Sequence, residues 1–302
     1  MRILHIDTGR QMRGGQRQVL RLLKVLAGAG HECILLARKD APLRDQADAL
    51  GVPLHDATLP NVWSLSVKAE LVHVHDAHAH TLAALASRSP FVVSRRVAFP
   101  VKTSFVSRWK YGRAKRFLAV SRFVAEQLSA AGVPDWKTDV VYDAADDEIA
   151  GANGWNRTAP AIALASRDPM KGRDLVDAAS QEAEIDVVFS TDLARDLQRA
   201  SMFLYISRSE GFGSAALLAM SMGVPVIASR TGGLAEVFEH CVSGLYVEND
   251  AHQIAEAMRR VTADPAFACG IIREARARVA SRFTTQHLLN ATLQSYSRAL
   301  AG

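Results

Sequence analysis

The stretch over residues 202–236 constrains the fold most, because short apolar runs alternate in it with glycine-rich turns. The β-favouring run 202–206 predicts a buried parallel strand. Gly211 and Gly213 follow it, where a chain that turns into a helix needs small residues. A helix from Ser214 would direct its unpaired N–H groups and partial positive charge into that turn, which favours an anion such as a phosphate. The stretch therefore predicts a parallel α/β sheet with an anion-binding edge.

A carboxylate and a second glycine turn lie on the same predicted edge. Glu210 stands at the carboxyl end of the first strand, where open parallel sheets bind ligands, so it can accept hydrogen bonds from sugar hydroxyls. Residues 225–228 predict the next strand, and Thr231-Gly232-Gly233 predict a glycine turn after it. Two such turns in tandem indicate a polar ligand that carries phosphate.

The composition is that of a soluble protein with two domains. The chain has 302 residues, 49% of them hydrophobic and 22% charged, and no apolar run approaches the roughly 18 residues of a membrane span. Because residues 1–7 predict a strand and not an export signal, we expect a cytoplasmic protein. A net charge of +5 fits an enzyme of anionic substrates or a protein that touches acidic membranes, and it is too small to indicate nucleic acid. Three well-separated cysteines favour reduced structural thiols: Cys33, Cys241 and Cys269.

The N-terminal segment predicts a βαβ unit. Residues 2–7 have the pattern of a buried strand, Gly14-Gly15 opens an amphipathic helix, and residues 33–37 predict the next strand. No Gly-x-Gly-x-x-Gly follows the first strand, so the sequence disfavours a dinucleotide oxidoreductase. The glycine pair either lies near a ligand or simply starts the helix.

Four segments in the second half of the chain share their turn and strand residues with a known family. They are Glu210-Gly211-Phe212-Gly213, Ala219-Met220, Gly223-Val224-Pro225-Val226 and Gly232-Gly233-Leu234-Ala235-Glu236. Together they resemble the nucleotide-sugar-binding segment of the retaining family-4 glycosyltransferases. One position departs, because Leu218 replaces the second glutamate of the family's Glu-x7-Glu pair, which would contact the nucleotide ribose. The resemblance implies an α/β GT-B architecture, in which two Rossmann-like doubly wound domains face a cleft, here with a shortened second domain.

The resemblance also implies roles for the donor-side residues. Arg167 and Lys171, in an Arg…Lys-Gly loop, would clamp the diphosphate of a nucleoside diphosphate sugar, since two fixed cations can neutralise a leaving diphosphate. Glu210 would hold the sugar hydroxyls and completes the predicted catalytic set. Enzymes of this fold generally do not need a divalent ion, so no metal or other cofactor is expected. The remaining predicted donor-binding residues are Gly14, Gly15, Gly211, Phe212, Gly213, Gly232, Gly233 and Glu236.

Polar residues at two other strand ends are the acceptor-side candidates, namely His75, Asp76, Arg95 and Arg96. A histidine-rich run also raises a metal hypothesis. His73 and His75 would share one face of a strand, but His78 and His80 would fall in the following turn, so convergence on one ion is not assured. A guanidinium can bind a phosphate or an acidic acceptor, and a pair of solvated arginines is the alternative.

Residues 102–117 interleave six basic residues with aromatic ones. Such a pattern can seat a helix on an anionic membrane or bind an acidic saccharide-lipid acceptor. A solvated basic helix is the alternative interpretation. We therefore expect a cytoplasmic protein that can contact the inner face of the membrane.

The polar, alanine-rich stretch 143–160 is the linker candidate. We expect an acceptor-side domain over 1–145, a nucleotide-sugar domain over 160–284, and a terminal helix over 285–302 that in GT-B proteins crosses back to the first domain. The predicted function is transfer of a hexose or related sugar, with retention, from a nucleoside diphosphate to a saccharide or lipid-linked acceptor, as in making cell-envelope polysaccharide. The alternative, favoured by Leu218 and the shortened domain, is a catalytically silent homologue that binds a saccharide or a partner enzyme.

Overall fold

The computed structural model describes residues 1–101, 104–145, 155–166 and 168–301. The chain divides into two compact units, one of Met1–Asp143 with Thr285–Gly302 and the other of Ala144–Thr284. Arg167, which was singled out above, lies outside the described ranges, as do residues 102–103 of the basic segment and the 146–154 part of the linker candidate.

The first unit contains a seven-stranded parallel sheet of order β3-β2-β1-β4-β5-β6-β7. Its elements are β1 (Arg2–Asp7), α1 (Gly14–Gly28), β2 (Glu32–Ala37), α2 (Pro42–Asp48), β3 (Leu54–Asp56), α3 (Leu59–Ser66), β4 (Leu71–Val74), α4 (Ala77–Ala86), β5 (Phe91–Arg95), α5 (Phe105–Arg113), β6 (Arg116–Ala119), α6 (Arg122–Ala130) and β7 (Thr138–Val140). The C-terminal helix, Thr285–Ala301, belongs to this unit and packs against α1.

The central strands of the first unit are continuous buried runs. All four residues of β4 and five of the six in β1 are buried, as expected for parallel strands that are covered on both faces. Side-chain oxygens of Asp76, Ser104 and Ser121 cap α4, α5 and α6 by accepting backbone N–H bonds. The strand order reverses between β1 and β4, so the carboxyl ends of these two strands form the switch point where such sheets bind ligands.

The second unit contains a five-stranded parallel sheet of order β12-β11-β10-β8-β9. Its elements are β8 (Ala161–Leu164), α7 (Arg173–Ala183), β9 (Val187–Ser190), α8 (Leu193–Asp196), β10 (Phe203–Tyr205), α9 (Ser214–Met222), β11 (Val226–Ser229), β12 (Leu245–Val247), α10 (Ala251–Ala263) and α11 (Pro265–Arg282). The C-terminal helix of the chain is therefore α12. Here the strand order reverses between β8 and β10.

The predicted fold class is confirmed. Both units are parallel α/β sheets with helical crossovers, and the second has five strands against seven in the first. The strand predicted over 202–206 is β10, and the helix predicted from Ser214 is α9. α8 continues into a 3₁₀ turn over Leu197–Arg199, and the backbone is extended at Ala200, just before β10.

Candidate functional site

Two predicted catalytic residues meet at the switch point of the second sheet. A 3₁₀ turn over Pro169–Lys171 follows β8, and Glu210 follows β10, the strand beside it. The Lys171 Nζ donates to the Glu210 carboxylate and forms an ion pair with it. The side chain of Lys171 is 26% exposed and that of Glu210 is 12% exposed, so both remain accessible to a ligand from one side.

A serine two residues after β10 holds these two loops together. The Ser207 hydroxyl donates to the Met170 carbonyl oxygen at 3.2 Å, and the Arg208 N–H donates to the same oxygen at 2.8 Å. The backbone N–H of Ser207 donates to the Ser229 hydroxyl at 2.9 Å. Sequence reasoning missed Ser207, whose signal is a small polar residue at the carboxyl end of a buried strand. It fixes the backbone next to Lys171.

Two glycines allow the close approach of backbone and side chains around this pair. Gly172 has φ +56°, and a Cβ there would lie 2.6 Å from Ile206 Cγ2. Gly213 has φ +119°, and a Cβ there would lie 2.6 Å from Leu234 Cδ1. Any other residue at either position would be strained by its backbone and would clash with its neighbour. Gly172 and Gly213 are therefore required by geometry.

The second glycine turn joins the first through the backbone. The Gly233 N–H donates to the Glu210 carbonyl oxygen at 3.0 Å, within a 3₁₀ turn over Gly232–Glu236. Phe212 is buried, and its ring meets that of Phe283 edge to face at 5.6 Å. Leu218 is half-buried on α9, one turn beyond its N-terminus. Lys171, Glu210 and the two glycine turns thus form one continuous edge, while Arg167 lies outside the described residues.

In the first unit, Asp76 is an organising residue of the sheet edge. Its carboxylate accepts four hydrogen bonds, from the N–H and hydroxyl of Thr8 and from the N–H groups of His78 and Ala79. It therefore caps α4 and anchors the loop after β1 at the same time. The predicted contact of Asp76 with an acceptor remains a prediction.

A second carboxylate, Asp7, orders the loop that leads to Gly14 and Gly15. Asp7 is buried, and it accepts the Gly9 N–H at 2.8 Å and the Gln16 side-chain amide at 3.1 Å. Burial raises the pKa of Asp7 to about 6, and the nearby Asp76 carboxylate adds to the rise. Sequence reasoning missed this role of Asp7 as well.

The two arginines at the carboxyl end of β5 contact different partners. Arg96 forms an ion pair with the buried Asp143, and a Cβ on Gly15 would lie 3.7 Å from Arg96 Cδ. Arg95 donates to the Phe99 carbonyl and lies 3.4 Å from the Tyr111 hydroxyl. Only Arg96 of this pair is thus placed beside the predicted glycine turn.

The histidines singled out in the sequence do not all converge. His73 and His75 pack in the interior with His5 of the neighbouring strand, and one ring nitrogen from each of the three lies within 4.8 Å of the others. His78 is exposed, and the Nε2–H of the buried His80 donates to the Lys110 carbonyl oxygen at 3.2 Å, away from this cluster. Burial lowers the pKa of His5 to about 3 and those of His73 and His75 well below their ordinary value, so these imidazoles are neutral.

Both ring nitrogens of His73 already have partners, the Tyr296 hydroxyl at 2.6 Å and the Ser94 hydroxyl at 2.8 Å. His5 Nδ1 and His75 Nε2 lie 3.0 Å apart and share a hydrogen bond. A cation held by all three imidazoles would have to displace a bond of His73, whereas His5 Nε2 and His75 Nδ1 are buried without a hydrogen-bond partner among the described residues. The charge of Arg96 acts on His73 and His75 from nearby. The cluster is consistent with a polar core that ties α12 to the sheet, and the expectation of no metal stays a prediction.

Among the described residues, no helix combines the length and apolar character needed to cross a membrane.

Two sequence-family models match the chain. The model described as "Glycosyltransferase Family 4" matches residues 12–149, and the one described as "Glycosyl transferases group 1" matches residues 139–264. The chain also resembles HepE of Anabaena, solved in complex with UDP and glucose, with a TM-score of 0.85, 17% identity and coverage of 98% of this chain and 99% of that one. Together, these matches support a GT-B glycosyltransferase.

Curated proteins to which this chain is similar include sugar transferases. The D-inositol 3-phosphate glycosyltransferase of Nocardioides sp. is 36% identical over 119 residues, which are 38% of this chain and 25% of that protein. The 2-deoxystreptamine glucosyltransferase of Streptomyces kanamyceticus is 27% identical over 325 aligned positions, covering 91% of this chain and 82% of that protein. The chain matches only about a quarter of the length of the first relative, so its substrates are matters for proposal.

Proposed function

We propose that this protein transfers a sugar from a nucleoside diphosphate to an acceptor hydroxyl with retention of anomeric configuration. The observation that carries the proposal is the contact of Lys171 with Glu210 at the switch point of the second sheet, between two glycine turns. A cation for the leaving diphosphate thus stands beside a carboxylate for the sugar hydroxyls. The donor-sugar role of Glu210 and the diphosphate role of Lys171 and Arg167 are part of this proposal.

The proposed chemistry is a front-face displacement. The bond from the anomeric carbon to the leaving phosphate oxygen breaks, and the bond to the acceptor oxygen forms on the same face. The acceptor proton goes to the departing phosphate oxygen, so the protein needs no strong base of its own. Lys171 would stabilise the negative charge that develops on the diphosphate, and Glu210 would hold the sugar in place.

The proposal names a chemical class for the donor and one for the acceptor. HepE has been solved with UDP and with UDP-glucose, so uridine diphosphate sugars are the first donors to test. The proposed acceptor is a saccharide or lipid-linked saccharide of the cell envelope. Of the four acceptor-side candidates, His75 is buried with His5 and His73, so contact with the acceptor is proposed for Asp76, Arg95 and Arg96. A cytoplasmic location, with contact to an anionic membrane through residues 102–117, belongs to the same proposal.

Glu210→Gln is expected to slow sugar transfer by about 10- to 150-fold, because hydrogen bonds to a charged acceptor are worth about 1.5–3 kcal/mol. Affinity for the bare nucleoside diphosphate should not fall, since the substitution frees Lys171 from its ion pair. Steady-state kinetics together with calorimetric titration of the nucleotide measure the two effects, and Glu248→Gln, at an exposed position, is the matched control. If Glu210→Gln lost affinity for the nucleotide but transferred bound donor at the normal rate, the assignment of Glu210 to the donor sugar would be wrong.

Leu218→Glu is expected to tighten nucleoside diphosphate binding by about 10- to 150-fold, the value of one charged hydrogen bond. The half-buried Leu218 leaves α9 with no carboxylate for a ribose diol. If the pocket has been repacked around leucine, the buried carboxylate would instead destabilise the fold. Calorimetry paired with the melting temperature separates these outcomes, with Leu218→Met as the size-matched control. A lowered melting temperature without tighter binding would favour the catalytically silent homologue.

A further inference from the structure

The first unit carries an unusually one-sided charge. Residues 77–125 include ten lysine and arginine residues and no aspartate or glutamate, although the whole chain has 31 acidic residues. This segment contains α4, β5, α5 and β6. The segment itself supplies no carboxylate, and only carboxylates outside it, Asp143 and Asp139, pair with its Arg96 and Arg116. Arg108 has no such ion pair among the described residues, so it can meet an anionic partner.

A groove runs along α5 within this basic region. It is a cavity of about 620 Å³ between α5, the end of α6 and the turn that follows α6, a volume within the roughly 300–1,000 Å³ of small-molecule sites. Its apolar wall includes Val101, Ala130, Ala131 and Val133, and its cationic groups are Arg108 and Lys137. Among its lining residues there is no aspartate or glutamate.

The two cations of the groove are available in different ways. Arg108 is exposed, and in the described part of the chain its guanidinium has neither a hydrogen bond nor an ion pair. Lys137 is fixed: its Nζ donates to the carbonyl oxygens of Gly112 at 3.2 Å and Ala114 at 3.1 Å. Arg108 can therefore move to reach a ligand, whereas Lys137 places a fixed positive charge in the wall of the groove.

Exposed aromatic side chains lie on the same elements as the groove lining, two on α5 and one in the turn beside Lys137. Phe105 is 83% exposed, Trp109 41% and Trp136 67%. Aromatic residues of this kind partition to the boundary between water and lipid, where their rings meet apolar groups and their surroundings are polar. A soluble ligand would not require these rings, whereas a lipid surface gives them a favourable contact.

We propose that this groove binds one anionic phospholipid, whose phosphate pairs with Arg108 and Lys137 and whose first acyl segment lies along the apolar wall. The exposed aromatic residues would then enter the interfacial layer of the bilayer. The proposal deepens the membrane contact put forward above and rests on it. An acidic protein partner would use the same charges, but it would not need a groove of this volume with an apolar wall.

The groove is tested with a monomeric short-chain phosphatidylglycerol, titrated below its micelle concentration. We expect saturable binding with one lipid per chain, weakened at least about tenfold by Arg108→Ala, as for loss of a charged hydrogen bond. Ala130→Trp, which fills the cavity from an exposed position without changing charge, should weaken it as strongly. Arg113→Ala, which removes the same charge from the same helix outside the groove, should change it less than about twofold.

Ala130→Trp binding the lipid like the wild type would overturn the groove assignment, provided the melting temperatures agree. If glycerol phosphate, which has no acyl chain, competes for the groove as well as the lipid does, the apolar wall does not contribute to binding and the proposed lipid is contradicted. Co-sedimentation with vesicles of phosphatidylcholine, with and without phosphatidylglycerol, tests the membrane contact itself, with Lys68→Ala as a control far along the chain. If the wild-type protein binds neither kind of vesicle, both the membrane contact and the lipid groove are contradicted. Donor turnover that is unchanged in the groove variants would still support the proposed transferase function.

Discussion

Lys171→Ala is expected to lower the rate of sugar transfer by about a hundredfold or more while leaving the fold intact. Removing one preorganised charge from a developing anion typically costs about 3 kcal/mol of activation free energy. The lysine follows β8 in a capped turn, and its backbone is fixed by the bonds of Ser207 and Arg208 to Met170. The substitution therefore removes the charge without removing the packing that places it. Initial rates under saturating donor measure the effect.

Two controls make the Lys171 result specific. Lys171→Arg keeps the charge and should retain more activity than Lys171→Ala. Arg273→Ala removes a cation that is 77% exposed on α11, and it should leave the rate unchanged. Wild-type turnover by a folded Lys171→Ala protein would contradict the assignment of the diphosphate site.

Acidification is expected to destabilise the first unit sharply between pH 6.5 and 5. Burial lowers the pKa of His5 and of His80 to about 3, and those of His73 and His75 well below 6.5. In this window the unfolded chain binds protons that the folded chain does not, so stability falls as the pH falls. An unfolded histidine is only half protonated at pH 6.5, so each histidine contributes about 1.6 kcal/mol over this window, and four contribute roughly 6–7 kcal/mol.

One carboxylate opposes this trend by a smaller amount. The pKa of Asp7 is raised to about 6, so the folded state gains a proton before the unfolded state does, and acidification from pH 6 to 5 favours folding there by about 1 kcal/mol. The expected net loss is therefore about 5–6 kcal/mol, within the range of the whole stability of an ordinary domain, about 5–15 kcal/mol.

Urea unfolding at pH 7.5 and pH 5.0 measures this loss, and hydrogen exchange of peptides from β4 and β10 assigns it to a unit. His80→Phe should reduce the number of protons taken up on unfolding by about one, and with it the pH dependence of the free energy of unfolding. His78→Phe, at an exposed neighbouring position, should leave it unchanged. Equal stability at both pH values would contradict the picture of a neutral, buried histidine cluster.

The sequence predicted the elements of the second unit well, because local chemistry fixes them. An apolar run followed by Gly211 and Gly213 can hardly form anything but a strand that turns into a helix, and β10 and α9 are that pair. The need for glycine at Gly213 is confirmed by its φ of +119° and by the position of Leu234. The doubly wound pattern also implied that the loops after β8 and β10 share an edge, where Lys171 and Glu210 now meet.

Contacts between distant segments could not be predicted in the same way. His5 meets His73 because β1 and β4 pair in a register that sets these residues side by side, and sequence alone does not fix strand register. Tyr296 reaches His73 across a separation of 223 residues, which depends on how α12 packs on the sheet. The serine bonds around Ser207 likewise appear only when the two loops are already in place.

The central claim is tested most directly by the release of nucleoside diphosphate from a panel of nucleotide sugars, with wild-type protein and with Lys171→Ala. Transferases of this kind commonly hydrolyse their donor slowly when no acceptor is present. We expect wild type to release the nucleoside diphosphate from at least one donor, with the α anomer retained in the sugar product as seen by NMR, and Lys171→Ala to be about a hundredfold slower. Release from no donor, together with no calorimetric binding of any donor, would contradict the proposed activity.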